Sequence, residues 1–252
     1  MIKGLRWYEG KRLVATVRGS DYAHAGEEEA INFCLSPYSK DKNRLILDAG
    51  CGQGGTAHFI QRQGWGKVTG CDIEASSIHY AKEHYPEVKF VTADVVEANQ
   101  KLKSHFFDLI CLFNSFYAFP NQSQALKSLH ELGKENTEIV IFEYSDLALE
   151  NNNPLTIKND PIKNFLPIRL DNIRQLAREA GWECKEIKEI NSQYKKWYQS
   201  FLNELKSKKE NIIAHFKEEG YLEAVNRYTK IYNAIEDGIL GGCVFYGKFI
   251  KS

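Results

Sequence analysis

The chain has no net charge: 33 Lys and Arg residues are matched by 33 Asp and Glu. A global basic field that would hold nucleic acid or an anionic membrane is therefore missing. Cysteines at metal-ligand spacing are missing too. The six cysteines (Cys34, Cys51, Cys71, Cys111, Cys184 and Cys243) are scattered and never form C-x-x-C. Several sit inside apolar, strand-like runs, which fits buried thiols in a reducing compartment better than a disulfide framework or a zinc site. The histidines at 24, 58, 79, 84, 105, 130 and 215 form no ligand cluster, so no metal is expected. The opening Met1-Ile2-Lys3-Gly4-Leu5-Arg6 lacks the apolar core of a signal peptide, and no run is long and apolar enough to span a bilayer. Lys206, Lys208 and Lys209 lie among Glu204, Glu210, Glu218 and Glu219, a mixed-charge helix face rather than a basic patch. Internal repeats and low-complexity tracts are absent. The expectation is a cytoplasmic protein with no membrane or nucleic-acid partner; a homodimer stays open.

What is present centres on Leu45-Ile46-Leu47-Asp48-Ala49-Gly50-Cys51-Gly52-Gln53-Gly54-Gly55. This reads as a short apolar strand, an acid, and a glycine-rich turn leading into a helix over Thr56 to Gln63. Glycine lets a backbone approach a ligand closely, and the helix start offers unpaired N–H groups to something polar or negative. Gly50 to Gly55 also satisfies G-x-G-x-x-G, the dinucleotide fingerprint, which leaves an NAD-dependent oxidoreductase as an alternative. Asp48 argues against it, because a carboxylate beside the loop repels a pyrophosphate and suits a cationic, amino-acid-bearing cofactor. Leu-Asp-Ala-Gly-Cys-Gly-Gln-Gly is similar to motif I of the class I S-adenosylmethionine-dependent methyltransferases.

The rest of the chain follows the same order. Val68 to Glu74 reads as a second strand whose Asp72 comes about 24 residues after Asp48, the offset of a βαβ unit with a ribose-binding carboxylate. Ile73 beside it can lie against an adenine face. After a helix over Ser76 to His84, Val88 to Val95 runs into Asp94. By the resemblance, Asp94 meets the adenine amino group and the next backbone N–H, at Val95, meets the ring. Phe107 to Asn114 is a fourth strand, followed by the aromatic run Ser115-Phe116-Tyr117-Ala118-Phe119-Pro120. A helix over Gln122 to Gly133 and a fifth strand over Glu138 to Tyr144 complete the pattern. Strands alternating with helices imply a parallel sheet covered on both faces, with ligands at the carboxyl ends of the strands.

The tail departs from the plain repeat. Asn151-Asn152-Asn153-Pro154 opens an irregular linker, Leu170 to Ala180 is an amphipathic helix, and Trp182 to Ile190 a sixth strand. A helical pattern from Tyr194 to Glu236 precedes the last strand, Gly241 to Ile250. The fold expected is α/β: a Rossmann-like, doubly wound, mostly parallel seven-stranded sheet with an antiparallel last strand and a helical lid insertion. Its divisions are a cofactor-closing segment (1–40), a Rossmann-like core (41–191), the lid (192–238) and a final strand (239–252).

The segment Gly19-Ser20-Asp21-Tyr22-Ala23-His24-Ala25-Gly26 resembles the loop that closes over the cofactor in phosphoethanolamine and sarcosine/dimethylglycine N-methyltransferases, which implies roles for Tyr22 and His24. Asp48 with Gly50, Cys51, Gly52 and Gly54 would hold the methionine moiety of S-adenosyl-L-methionine. Asn114, Tyr117, Tyr144 and His24 would border the reacting atoms, joined by Phe113, Phe116 and Phe119, with Trp197, Tyr198 and Tyr246 reaching in from the lid and last strand. Methyl transfer needs alignment and exclusion of water, and no general base when the acceptor is a free amine. An aromatic-rich cavity holds an amine by cation–π attraction, or an apolar acceptor by burial. The phosphobase members of the family carry an Asp and a His where this chain has Asn114 and Ala118, which puts a phosphoethanolamine substrate in doubt. The activity expected is methyl transfer to a small molecule, at nitrogen first and oxygen or carbon second. The other alternative is a non-catalytic cofactor-binding protein on the same fold.

Overall fold

The structure is a computed structural model that describes residues 7–148 and 165–251. Its strands are β1 (Leu45–Ala49), β2 (Lys67–Asp72), β3 (Lys89–Thr92), β4 (Phe107–Phe113), β5 (Gly133–Asp146), β6 (Ile168–Arg169), β7 (Trp182–Glu189) and β8 (Leu240–Phe249). They join in the order β3-β2-β1-β4-β5-β8-β7, and the two-residue β6 pairs with the end of β5. Every pairing among β1 to β6 is parallel, and β8 runs antiparallel between β5 and β7. The expected mixed sheet is thus observed, with β6 as an addition. From β1 the chain winds outward to β2 and β3, then returns to place β4 on the other side of β1. The strand ends diverge at that reversal, which is where doubly wound sheets open a crevice.

Successive residues on a strand face opposite sides of the sheet, so the near-continuous apolar runs require cover on both faces. On one face Ile46, Leu109, Val140 and Val244 pack with α1 (Tyr8–Arg18), α2 (Glu27–Leu35), α3 (Gly55–Arg62) and the insertion. On the other, Leu47, Ile110, Ile141 and Phe245 pack against Leu126 and Leu129 of α5 (Gln122–Leu132) and Trp182. Outside the insertion, the other α-helices among the described residues are α4 (Ala75–His84) and α6 (Ile173–Glu179).

Beyond shifts of a residue or two at element ends, three differences from expectation stand out. Strand β5 is longer than Glu138 to Tyr144, because β8 pairs with it from Glu138↔Lys248 to Asp146↔Leu240. Helix α6 is shorter than Leu170 to Ala180, because Ile168 and Arg169 pair with Ser145 and Asp146. The helical run divides into α7 (Asn191–Ser207) and α8 (Lys209–Glu236), and α7 buries a stripe of Tyr194, Trp197, Tyr198, Phe201, Leu202 and Leu205. The linker expected from Asn151 lies outside the described residues. No helix among the described residues is long and apolar enough to cross a membrane.

Helix α7 sits very close to the sheet. A Cβ at Gly242 of β8 would lie 2.2 Å from Cδ2 of Tyr194. Asn191 Oδ1 accepts from Gly242 N at 3.0 Å, and Ile190 N donates to Gly242 O at 2.8 Å. Gly242→Ala should therefore destabilise the protein by about 1–3 kcal/mol through overpacking. Urea unfolding checks this; an unmoved midpoint would mean the helix is not seated this tightly.

Candidate active site

The glycine turn is shaped by the reversal of strand order. Gly50 has φ +81°, and a Cβ there would lie 2.4 Å from Cβ of Ser115. Only glycine meets both demands, since a side chain would be strained and would collide. Ser115 Oγ donates to Ala49 O at 2.7 Å, tying the end of β4 to the end of β1. Gly50 N and Cys51 N both donate to Cys71 O, at 2.8 and 2.9 Å, which ties the turn to β2. The turn thus closes one side of an open cleft above the ends of β1, β2 and β4.

Acids gather there. Asp48 ends up 1% exposed, and its Oδ2 has no hydrogen-bond partner among the described residues. Burial, reinforced by the charge of Asp72, pushes its carboxyl up to about 7. Asp72 closes β2, where its Oδ2 accepts from Gly52 N at 2.8 Å and its Oδ1 from Glu74 N at 2.9 Å. Asp94 follows β3, accepts from Val96 N at 3.0 Å and opens a short 3-10 turn at Val95. Ile73 is 60% exposed on the rim, an apolar face turned to the opening.

The far wall carries His24, Phe113, Asn114, Tyr117, Phe119 and Pro120. His24 is buried, with Nδ1 3.0 Å from Ala25 O and Nε2 3.0 Å from Thr56 Oγ1. A carbonyl only accepts, so Nδ1 carries the proton and Nε2 takes the Thr56 hydroxyl. Burial holds this ring down to about 3, so it is neutral and its one lone pair is engaged. Asn114, at φ +47°, binds three segments at once. Its Oδ1 accepts from Ala25 N at 3.2 Å, and its Nδ2 donates to Glu143 Oε1 at 2.9 Å and to Tyr194 Oη at 2.8 Å. Glu143 also accepts from the N–H groups of Tyr117 and Tyr144, each at 2.9 Å. Burial pushes Glu143 up to about 7 against the downward pull of those bonds.

Of the residues singled out from sequence, His24, Asp48, Gly50, Cys51, Gly52, Asp72, Ile73, Asp94, Val95, Asn114 and Tyr117 share this cleft. Tyr22, Gly54 and Tyr144 do not line it, and neither do Phe116, Trp197, Tyr198 and Tyr246. Tyr22 turns away, donating to Glu28 Oε1 at 3.0 Å and meeting Phe59 edge-on, so His24 is the ring its loop sends inward. Gly54 is the left-handed residue before α3 and lies under the ring of Phe90. Tyr144 is buried beneath the wall, its hydroxyl against that of Tyr198 and its ring 5.4 Å from that of Tyr117. Trp197 bonds Glu29 at 2.9 Å and Tyr246 bonds Cys34 O at 3.2 Å, so neither reaches the cleft. Sequence reasoning missed Lys11, Thr56 and Glu143. Glu143 left a signal, an acid inside Ile139-Val140-Ile141-Phe142-Glu143-Tyr144; Lys11 left none.

A doubly wound sheet with a glycine turn and carboxylates at successive strand ends defines a protein that takes a nucleoside-bearing, cationic ligand. A family model described as "Methyltransferase domain" matches residues 40–204, more than half of the chain. The chain belongs to that family, whose members draw their methyl group from S-adenosylmethionine. Protein 235L of Invertebrate iridescent virus 6, described as a methyltransferase, is 29% identical over 168 residues, covering 60% of this chain and 60% of that protein. The phosphoethanolamine N-methyltransferase of Plasmodium falciparum (isolate 3D7) is 26% identical over 149 residues, covering 57% and 55%. In structure, phosphoethanolamine N-methyltransferase 2 of Haemonchus contortus, in complex with phosphomonomethylethanolamine and S-adenosylhomocysteine, superposes with a TM-score of 0.83 at 15% identity. That superposition covers 99% of this chain and 61% of the other. The chain spans about half the length of the curated relatives it matches.

The raised carboxyl of Asp48 has a consequence for the free protein. A buried acid whose folded value lies near 7 costs nothing below its unfolded value of 3.8, and its full penalty develops as pH rises through about 7. Asp48→Asn removes that penalty. The variant should gain on the order of 1–3 kcal/mol over wild type at pH 8 and little at pH 4. Thermal unfolding without ligand at both pH values checks it; an equal effect at both would mean Asp48 is not held near 7.

Proposed function

We propose that the chain is an S-adenosylmethionine-dependent methyltransferase acting on a small molecule, with an amine as the favoured acceptor. The observation that carries this reading is the partnerless, buried Oδ2 of Asp48, a residue that lines the same cleft as Asp72 and Asp94. A buried carboxylate oxygen without a partner calls for a donor, and the ammonium of a methionine moiety supplies one. A pyrophosphate would meet repulsion there, so a dinucleotide does not fit the donor set. The residues present fit S-adenosylmethionine, whose sulfonium supplies the activated methyl group. The turn of Gly50, Cys51, Gly52 and Gly54 would hold the methionine end beside Asp48. Asp72 would accept the ribose hydroxyls, Ile73 would cover one adenine face, and Asp94 with the backbone of Val95 would read the adenine edge. The segment before β1 would close over the cleft through His24, with Tyr22 supporting it from behind, while the insertion backs the wall through the bond of Tyr194 to Asn114.

The acceptor end favours an amine by its lack of a free base. His24 is neutral with its lone pair engaged, and Glu143 sits behind Asn114 rather than in the wall. Such a site suits an acceptor that arrives with its own lone pair. His24, Phe113, Tyr117 and Phe119 surround it with ring faces and edges, while Asn114 holds the wall in register. Tyr144 would act from beneath, keeping Tyr117 in place. A phosphate on the acceptor has no evident counter-charge. Asn114 and Ala118 replace the acid and base of the phosphobase enzymes, and among the described wall residues Lys11 is the one Lys or Arg, paired with Asp72. The relatives named for phosphoethanolamine support amine methylation as a class of chemistry.

Calorimetric titration with S-adenosylmethionine, S-adenosylhomocysteine and NAD tests the cofactor. The first two should bind and NAD should not; binding of NAD alone would overturn the reading. Asp72→Ala should weaken S-adenosylhomocysteine at least about tenfold, by loss of a charge-assisted acceptor pair. Release of S-adenosylhomocysteine should then be measured against amines, phenols and carboxylic acids in parallel. Turnover with amines is the expected result, and turnover confined to the other two groups would reverse the order of acceptors.

A further inference from the structure

Helix α1 reaches into the cleft through one residue. Lys11 is 6% exposed, and its Nζ lies 3.2 Å from Oδ1 and 3.1 Å from Oδ2 of Asp72. An ionised carboxylate offers roughly four lone-pair positions. Gly52 N and Glu74 N hold one on each oxygen of Asp72, and the ammonium straddles what remains. Those are the positions a ribose diol needs. From this we infer that Lys11 is an internal competitor for the ribose subsite, and that ligand binding drives its ammonium from Asp72 onto Glu74. The inference rests on Asp72 being the ribose acceptor, as proposed above.

The receiving group is already in place. Glu74 Oε2 lies 3.5 Å from Lys11 Nζ and accepts from Ser77 Oγ at 2.6 Å, while Ser77 Oγ itself is 3.3 Å from Nζ. A small side-chain swing exchanges one carboxylate for the other without returning the ammonium to water. That swing is read out along α1. Glu74 Oε1 accepts from Tyr8 N at 2.5 Å, holding the helix's first turn. The next residue, Arg12, binds Asp21 at 3.0 Å, and Asp21 also takes the hydroxyls of Tyr80 and Tyr85 at 3.1 and 2.6 Å. Occupancy of the ribose subsite is thereby linked to the helix and to the loop carrying His24. The device also keeps the empty site from exposing a bare, desolvated carboxylate.

Lys11→Met and Lys11→Gln remove the competitor and differ in polarity, so a folding defect in one does not decide the matter. If the ammonium holds Asp72 for about four-fifths to nine-tenths of the time, the apparent Kd for S-adenosylhomocysteine should tighten about five- to tenfold in both variants. Adenosine should gain by the same factor. For 2′,3′-dideoxyadenosine, which brings no diol, the gain should vanish. Glu74→Gln should weaken S-adenosylhomocysteine, because the displaced ammonium loses its carboxylate. Weaker binding in both Lys11 variants would overturn the inference, making Lys11 part of the binding site, and equal gains for adenosine and its dideoxy form would overturn it as well. The controlling comparison is Asp72→Ala. If that variant binds S-adenosylhomocysteine as wild type does, the ribose assignment itself fails. If it loses binding while the Lys11 variants gain none, the assignment stands and the competition does not.

Discussion

The active site depends on how closely two strand ends can approach. At the reversal of strand order, β1 and β4 run side by side and then part, and the chain at Gly50 passes so near Ser115 that no side chain fits between them. The bond from Ser115 Oγ to Ala49 O fixes that separation. Because the turn cannot rise toward β4, its N–H groups lean on Cys71 O of β2. The helix that follows then starts with Thr56 of its first turn at the crevice wall. A small steric fact at one glycine therefore sets the floor of the site.

The second constraint is electrostatic. Parallel strands deliver Asp48 and Asp72 to one edge of the sheet, and both are almost completely buried there. Two desolvated carboxylates in one crevice are unfavourable unless each finds a donor. Asp72 finds backbone N–H groups and a close ion pair with Lys11. Asp48 finds nothing for Oδ2 and moves toward neutrality, up to about 7. The site is thus unbalanced without a cation, a sensible state for a family whose cofactor carries an ammonium and a sulfonium.

Closure from above runs through Asn114. Its carboxamide ties the loop before α2, the buried carboxylate of Glu143 on β5 and the hydroxyl of Tyr194 on α7. Glu143 in turn holds the N–H groups that place Tyr117. The N-terminal segment and the insertion, far apart in sequence, therefore meet at one residue of the wall. The apolar stripe of α7 supplies the packing that makes the meeting durable, as shown by the bare backbone of Gly242 beneath Tyr194.

Local pattern carried the order of elements. The run from Leu45 to Gly55 announces a strand, an acid and a turn through apolar continuity and glycine placement, and Asp72 and Asp94 follow at the spacing that βαβ geometry imposes. Those features are local in the chain, so the amino-acid sequence determined the sheet, its cofactor edge and most of the wall. Orientation was decided elsewhere. Tyr22 and His24 are two residues apart on one loop, and which ring enters the cleft was settled by Glu28 and Thr56. Tyr144 was drawn under the wall by Tyr198. Lys11 lies on a helix whose sequence says nothing of Asp72, 61 residues away, and Glu143 reads as one acid in an apolar strand until Asn114 is seen beside it. Periodicity and spacing encode which backbone goes where. Only three-dimensional packing brings a distant donor to a buried acid, and that encounter decides which charges are paired and which are left waiting for a ligand.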